Sequence, residues 1–122
     1  MRIHTTISIV LLICLLAACN RRAYLFTGFN EPATEGMRLL YSNNGTSWKD
    51  AGSTFIKPEI GNQKVMRDPS MVKGPDGTFH LVWTSSWRGD KGFGYANTKD
   101  FKTWSPQKLI PVMAHEPTTV NV

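Results

Sequence analysis

Cysteine is nearly missing from this sequence: its 122 residues contain two, Cys14 and Cys19. Both lie in or at the end of one apolar run near the N-terminus, and no cysteine follows. Disulfides, thiol catalysis and a cysteine-rich metal site are thereby excluded from the body of the protein. Clustered positive charge is missing too. Lys and Arg total 14 against 9 Asp and Glu, a formal net charge of +5, yet Arg21-Arg22 is the one adjacent basic pair. Phosphate binding needs grouped cations, so nucleic acid is not an expected partner. The longest hydrophobic run, Ile7 to Leu16 broken by Ser8, is shorter than the ~20 residues of a membrane-spanning helix. Helical periodicity is almost absent from residue 23 onward. What remains is a globular composition, 41% hydrophobic and 19% charged, arranged as short apolar runs between polar turns.

Residues 1–18 have the build of a targeting segment, with Arg2 at the positive end and the apolar run behind it. The run closes on Leu16-Ala17-Ala18-Cys19, which resembles the lipobox of bacterial lipoproteins. That resemblance implies a signal peptide removed after residue 18, Cys19 diacylated on sulfur as a lipid anchor, and residues 19–22 as a short linker. The membrane is then a partner through the anchor. The expected location is the bacterial cell envelope, in the periplasm or on the outer-membrane surface.

From residue 23 to 122 two passages look alike. Tyr24-Leu25-Phe26-Thr27 leads to Leu39-Leu40-Tyr41-Ser42 and a polar turn closing on Trp48. Leu81-Val82-Trp83-Thr84 leads to Gly94-Tyr95-Ala96-Asn97 and a polar turn closing on Trp104. Thr27 to Thr84 spans 57 residues and Trp48 to Trp104 spans 56. Each unit reads as strand, loop, strand, turn and Trp, which predicts an all-β fold of antiparallel strands. A repeat of this length closed by an aromatic is the pattern of β-propeller blades, which bury their two apolar faces by stacking on one another. Trp48 and Trp104 are then packing residues. A propeller needs about four blades or more, and this chain holds roughly two units. The alternation Thr119-Val120-Asn121-Val122 has no turn after it. The expectation is therefore that residues 23–122 are the N-terminal part of a longer propeller.

Four of the five Asp residues sit in turn sequences. Asp76 lies in Gly74-Pro75-Asp76-Gly77, Asp90 in Arg88-Gly89-Asp90-Lys91-Gly92, and Asp50 and Asp100 flank the two Trp turns. Asp68 does not. It interrupts the strand-like run Val65-Met66-Arg67-Asp68-Pro69-Ser70-Met71-Val72. Pro69 fits a strand with a free N–H side, as the innermost strand of a propeller blade has. Asp68 would there face the central channel, where ligands bind. A pairing with Arg67, or a cap on nearby backbone N–H groups, is the structural alternative.

The series Arg67-Asp68-Pro69-Ser70-Met71-Val72, Gly74-Pro75-Asp76-Gly77-Thr78-Phe79-His80-Leu81-Val82-Trp83-Thr84-Ser85, Gly94-Tyr95-Ala96 and Lys99-Asp100-Phe101-Lys102-Thr103-Trp104 resembles the first blade of glycoside hydrolase family 43. The likeness runs over about residues 65–104 and, more weakly, 24–48. It implies a five-bladed propeller that cleaves α-L-arabinofuranosides or β-D-xylosides of plant-type polysaccharides with inversion, and an oligo- or polysaccharide as the partner. It makes Asp68 the general base. Inversion also needs a carboxylic acid ~6.5–9.5 Å away to protonate the leaving oxygen. The family carries that acid, and a third carboxylate that tunes it, in later blades, so the 122 residues alone are expected to be inactive. No cofactor motif or metal-ligand set is visible.

Trp87 follows the second strand of the unit, where the resemblance implies an aromatic wall for the sugar; packing between blades is its alternative role. Arg67, Glu31 in Asn30-Glu31-Pro32 and Glu116 in His115-Glu116-Pro117 are further candidates for substrate contact, the two Glu lying on extended or turn backbone before Pro. His80 reads as a strand residue with a packing or surface role. Two other functions compete: a non-catalytic carbohydrate-binding propeller on a lipoprotein, and a sialidase-like propeller. The latter rests on Ser42-Asn43-Asn44-Gly45-Thr46-Ser47-Trp48, which resembles the Asp-box with Asn in place of Asp and one residue fewer before Gly.

Overall fold

The computed structural model describes residues 23–52 and 54–112. The proposed signal peptide, Cys19 and Glu116 lie outside them. The described residues are all-β, with seven antiparallel strands in two sheets. The first sheet holds β1 (Tyr24–Gly28), β2 (Arg38–Ser42) and β3 (Lys49–Gly52) in sequence order. The second holds β4 (Arg67–Lys73), β5 (Phe79–Thr84), β6 (Gly92–Thr98) and β7 (Lys108–Pro111), also in sequence order. Both are meanders, the simplest outcome of short apolar runs joined by local turns.

The turns explain the repeat. In the first sheet the Ser42 hydroxyl accepts the N–H groups of Asn44 and Gly45, and the Asn44 side-chain oxygen accepts those of Thr46 and Ser47. In the second, the Thr98 hydroxyl accepts the N–H groups of Asp100 and Phe101, and the Asp100 carboxylate accepts those of Lys102 and Thr103. Gly45 and Phe101 hold the same place in the two turns, and both have positive φ, 77° and 60°. Two short polar side chains thus satisfy four backbone donors per turn, and each turn ends on its Trp. The stretch that resembles an Asp-box is one copy of this repeated turn.

Strand pairing extends the equivalence. Tyr24 stands opposite Ser42 as Phe79 stands opposite Thr98, and Phe26 stands opposite Leu40 as Leu81 stands opposite Ala96. Sequence spacing sets Thr27 against Thr84, whereas this register sets Thr27 against Val82. The connection after β1 and the one after β5 differ in length, which sequence spacing absorbs in the wrong place. The shift is two residues, so the assignment of faces is unchanged.

Strand alternation places one face of each sheet in a shared core. Leu39 from β2 joins Leu81 and Trp83 from β5, Ala96 from β6, and the loop residues Met37, Ile56 and Met66, all buried. Met71, Phe101 and Trp104 pack against them. Trp83 lies flat on Gly94, where a Cβ would come within 2.1 Å of the indole. The loop ahead of β2 is stitched in by Met37 N–H to the Ile56 carbonyl at 3.1 Å and Met66 N–H to the Ala33 carbonyl at 2.8 Å. β1 and β4 are both edge strands, and they meet where the Thr27 hydroxyl donates to the Pro69 carbonyl.

Candidate functional site

β4 pairs with β5 through a bulge. Arg67 stands opposite Thr84 and Ser70 opposite Val82, so Asp68 and Pro69 together face the single residue Trp83. Proline lacks the ladder donor, and at a bulge on an edge strand none is missed. Asp68 adopts φ 49°, left-handed backbone that Asp tolerates better than most residues. The bulge turns its side chain out of the ladder, and Asp68 is exposed. Its carboxylate has no hydrogen bond or ion pair among the described residues, unlike the turn aspartates. It lines a cleft of about 630 Å³ between the edges of the two sheets, together with Leu25, Phe26, Thr27, Gly28, Phe29, Pro69, Ser70 and Met71. Among the described residues no second carboxylate lines this cleft.

Arg67, next in the chain, does not pair with Asp68. Its guanidinium carbon lies 3.6 Å from the centroid of the Trp87 ring, and its Nε is 3.8 Å from Glu31 Oε1. That Nε is buried without a hydrogen-bond acceptor, so it is held by stacking and by the carboxylate field rather than by a directional bond. The structure thus brings together three of the residues singled out in the sequence, Glu31, Arg67 and Trp87, from three separate segments. Trp87 keeps 45% of its surface exposed. Its loop is fixed from below: the Gln63 side-chain oxygen accepts the N–H groups of Trp87 and Arg88 at 2.5 and 3.3 Å.

Asp90 is the residue that sequence reasoning undervalued. It is 7% exposed, accepts the Ser85 hydroxyl at 2.7 Å and the Asn62 N–H at 3.2 Å, and its own N–H donates to the Ser86 hydroxyl at 3.2 Å. Gly61 makes room for it; a Cβ there would sit 2.6 Å from the Asp90 carboxylate. Asp90 therefore ties the 61–63 segment to the 85–90 loop and holds both Gln63 and Trp87 in place. The Ser85-Ser86 pair four to five residues before it, with its two hydroxyls, is the signal that was available.

The other aspartates act in turns. Asp50 is held below its ordinary value by the Gly52 N–H and by Arg38, with which it forms an ion pair. The Thr78 hydroxyl and N–H lower Asp76, and the N–H groups of Thr103 and Lys102 lower Asp100. All three are solvated. His80 is half-buried, its Nδ1 2.8 Å from the Tyr95 hydroxyl, which also accepts the Asn97 amide. Trp104 packs on the core, whereas Trp48 remains 42% exposed, edge-on to Phe26. No group of three His, Cys, Asp or Glu among the described residues could hold a metal ion, and no helix there is long and apolar enough to cross a membrane. Compared with models of protein families, with curated proteins and with solved structures, the chain finds no match.

Proposed function

We propose that this chain is part of a carbohydrate-active β-propeller, a glycoside hydrolase of the family 43 type in which Asp68 is the general base. The observation that carries the proposal is Asp68 itself. It is a solvent-facing carboxylate on left-handed backbone, without a partner among the described residues, and a bulge sets it into the cleft between two sheet edges. Bulges gather beside active sites because they re-aim a side chain. A base must also accept a proton readily, which the three turn aspartates, held below the ordinary carboxylate range by N–H and hydroxyl donors, do less well. Beside it in the chain, Arg67 stacked on a half-exposed Trp87 offers the apolar and polar surface that a furanose or pyranose ring needs. Arabinofuranosides and xylosides are the substrate class, and Cys19 is the lipid anchor that holds the protein in the envelope.

Inversion requires a second carboxylic acid across the cleft. The proposal accordingly gives the 122-residue chain sugar binding by itself, and hydrolysis only where such an acid is brought opposite Asp68. A non-catalytic binding propeller is the second reading, favoured by the same absence of a second carboxylate among the described cleft residues.

The test is Asp68→Asn in the longest native form of the protein, assayed on aryl α-L-arabinofuranosides and aryl β-D-xylosides. Asn tolerates the same left-handed backbone, so the fold and sugar affinity are retained while the base is lost. The rate falls by about 10²–10⁴-fold, and Asp76→Asn, in its turn, leaves it near parental. Undiminished turnover in Asp68→Asn refutes the role of base; binding without turnover in the parent selects the second reading.

A further inference from the structure

The register that aligns the two sheets leaves one strand over. β1 answers to β5, Tyr24 to Phe79 and Phe26 to Leu81, and β2 answers to β6. β3 and β7 each follow their Trp turn and pair with the strand before it. β4 pairs with the far side of β5, and among the described residues no strand lies on the matching side of β1. The first sheet is therefore the second sheet without its inner strand.

Natural sheets keep their edges from pairing with charges, prolines or bulges. β3 carries Lys49 and Asp50, β7 carries Lys108 and Pro111, and β4 carries Arg67, Asp68, Pro69 and Lys73 with a bulge among them. β1 reads Tyr24-Leu25-Phe26-Thr27-Gly28, without a charge or a proline, and pairs with β2 in unbroken register. Among the four edge strands described, it alone has none of these guards. Burial agrees. Leu25 lies on the side of its strand that faces the second sheet, yet it is 40% exposed. Its counterpart His80 is half-buried, flanked by Val72 of β4 and Asn97 of β6. The opening beside Leu25 reaches Lys73 and Phe79, and it shares Leu25, Thr27 and Met71 with the Asp68 cleft, so the two run on along β1.

We infer that the free edge of β1 is completed by an antiparallel strand from a later part of the same polypeptide, beyond Val122, so that the first sheet is closed by residues that return after the rest of the ring. The inference rests on the propeller half of the proposed function and not on its sugar half. Strand addition to an open edge gains main-chain hydrogen bonds along its length. The N-terminal side does not supply the strand: the expected cleavage after residue 18 leaves four residues ahead of Ala23, too few for a turn and a run back along the five of β1. The counterpart of Ser70 to Lys73 would lie against Thr27 to Tyr24. Its residues opposite Leu25 and Thr27 are apolar, because they meet Met71 and Phe79 across the opening. The bulge at Asp68 and Pro69 lies past that stretch, so Gly28 and Phe29 stay open beside the carboxylate.

The experiment compares amide hydrogen exchange over Tyr24–Gly28 in the 122-residue chain and in the longest native form of the protein. Alternate amides of an edge strand face outward, so about half of those in β1 should exchange at once in the 122-residue chain. All should be protected in the longer form. Packing of another sheet on the face of β1 covers side chains without bonding these amides, so it does not mimic the result. The occupant is read with the photo-crosslinking variant Tyr24→p-benzoylphenylalanine, which reaches a cross-strand neighbour. Phe26→p-benzoylphenylalanine takes its place if the first loses its strand signal in circular dichroism. The captured peptide should lie beyond Val122 in the same molecule. Outward amides that stay open in the longer form overturn the inference, as does a native protein that ends at Val122. A cross-link to residues 19–22 or 113–122, or one between two molecules, overturns it whatever the protection. The Asp68→Asn assay keeps the two readings apart: a paired edge without turnover leaves the closure standing, and turnover with an open edge removes the closure alone.

Discussion

At the scale of single residues, two aspartates separate by their surroundings alone. Asp68 lies in the open with no partner among the described residues, while Asp90 is buried and gathers hydrogen bonds from the Ser85 hydroxyl and the Asn62 N–H. Replacing Asp90 with Ala leaves those donors facing an apolar hole, and an orphaned buried polar group costs about 1–3 kcal/mol. Asp90→Ala should therefore lose at least that much in urea unfolding. If the proposed carbohydrate role holds, it should also weaken sugar binding, since Gln63 and Trp87 depend on the tie. Asp90→Asn, which still offers an acceptor to Asn62, should lose less of both. Equal stability of parent and Asp90→Ala would mean that the loop is held elsewhere. The sequence made Asp68 legible, because Pro69 after an acid inside an apolar run has few structural explanations. Burial of Asp90 was only faintly legible: Ser85-Ser86 offers hydroxyl partners, but Gly89 before it and Lys91-Gly92 after it are the residues of any solvent loop. Stacking of Arg67 on Trp87 was equally hidden, since the two are twenty residues apart and meet only once β4 and β5 pair.

At the scale of elements, the repeated turn does its work with Asn in one copy and Asp in the other. Asn44 and Asp100 accept equivalent pairs of N–H groups, yet only Asp100 titrates. The N–H donors of Thr103 and Lys102 lower its pKa from 3.8, so protonation is easier in the unfolded chain than in the folded one. A depressed carboxylate contributes stability above its unfolded value and loses it as the pH falls through its folded value. Asp50 and Asp76 behave alike. Stability should thus decline as the pH falls from 3.8 downward, by a modest amount because all three groups are solvated. Asp100→Asn converts the second turn to the chemistry of the first. It should match the parent at neutral pH and show a shallower decline in acid, measured as urea midpoints across the acid range; an unchanged slope would remove Asp100 from the account. The spacing of Trp48 and Trp104 predicted these turns correctly, because each turn is local. The first strand of each unit, β1 against β5, was aligned less well, since register is set by pairing across loops of unequal length.

At the scale of the whole molecule, one hydrogen bond bears on the geometry of the cleft. β1 and β4 belong to different sheets, and no ladder joins them; the Thr27 hydroxyl on the Pro69 carbonyl is the side-chain bond that pins one edge to the other. Pro69 follows Asp68 within the bulge, so the bond fixes the backbone that aims the carboxylate as well as the width of the 630 Å³ opening. Thr27→Val keeps the shape and the β preference of the side chain while removing the donor. A single neutral hydrogen bond contributes about 0.5–1.5 kcal/mol, so the stability of the fold should drop by no more than that, with the shared core of Leu39, Leu81 and Trp83 untouched. Under the proposed sugar-binding role the cleft should respond more strongly than the fold, because its two walls then move independently and a bound ring must order them again. Thr27→Ser restores the hydroxyl and should recover most of the affinity at some cost in strand packing. Titration calorimetry with xylo- and arabino-oligosaccharides, beside urea unfolding of the same three proteins, separates the two effects. Affinity that tracks stability alone would assign Thr27 to packing; affinity lost in Val and recovered in Ser assigns it to holding the carboxylate of Asp68 at the mouth of the cleft.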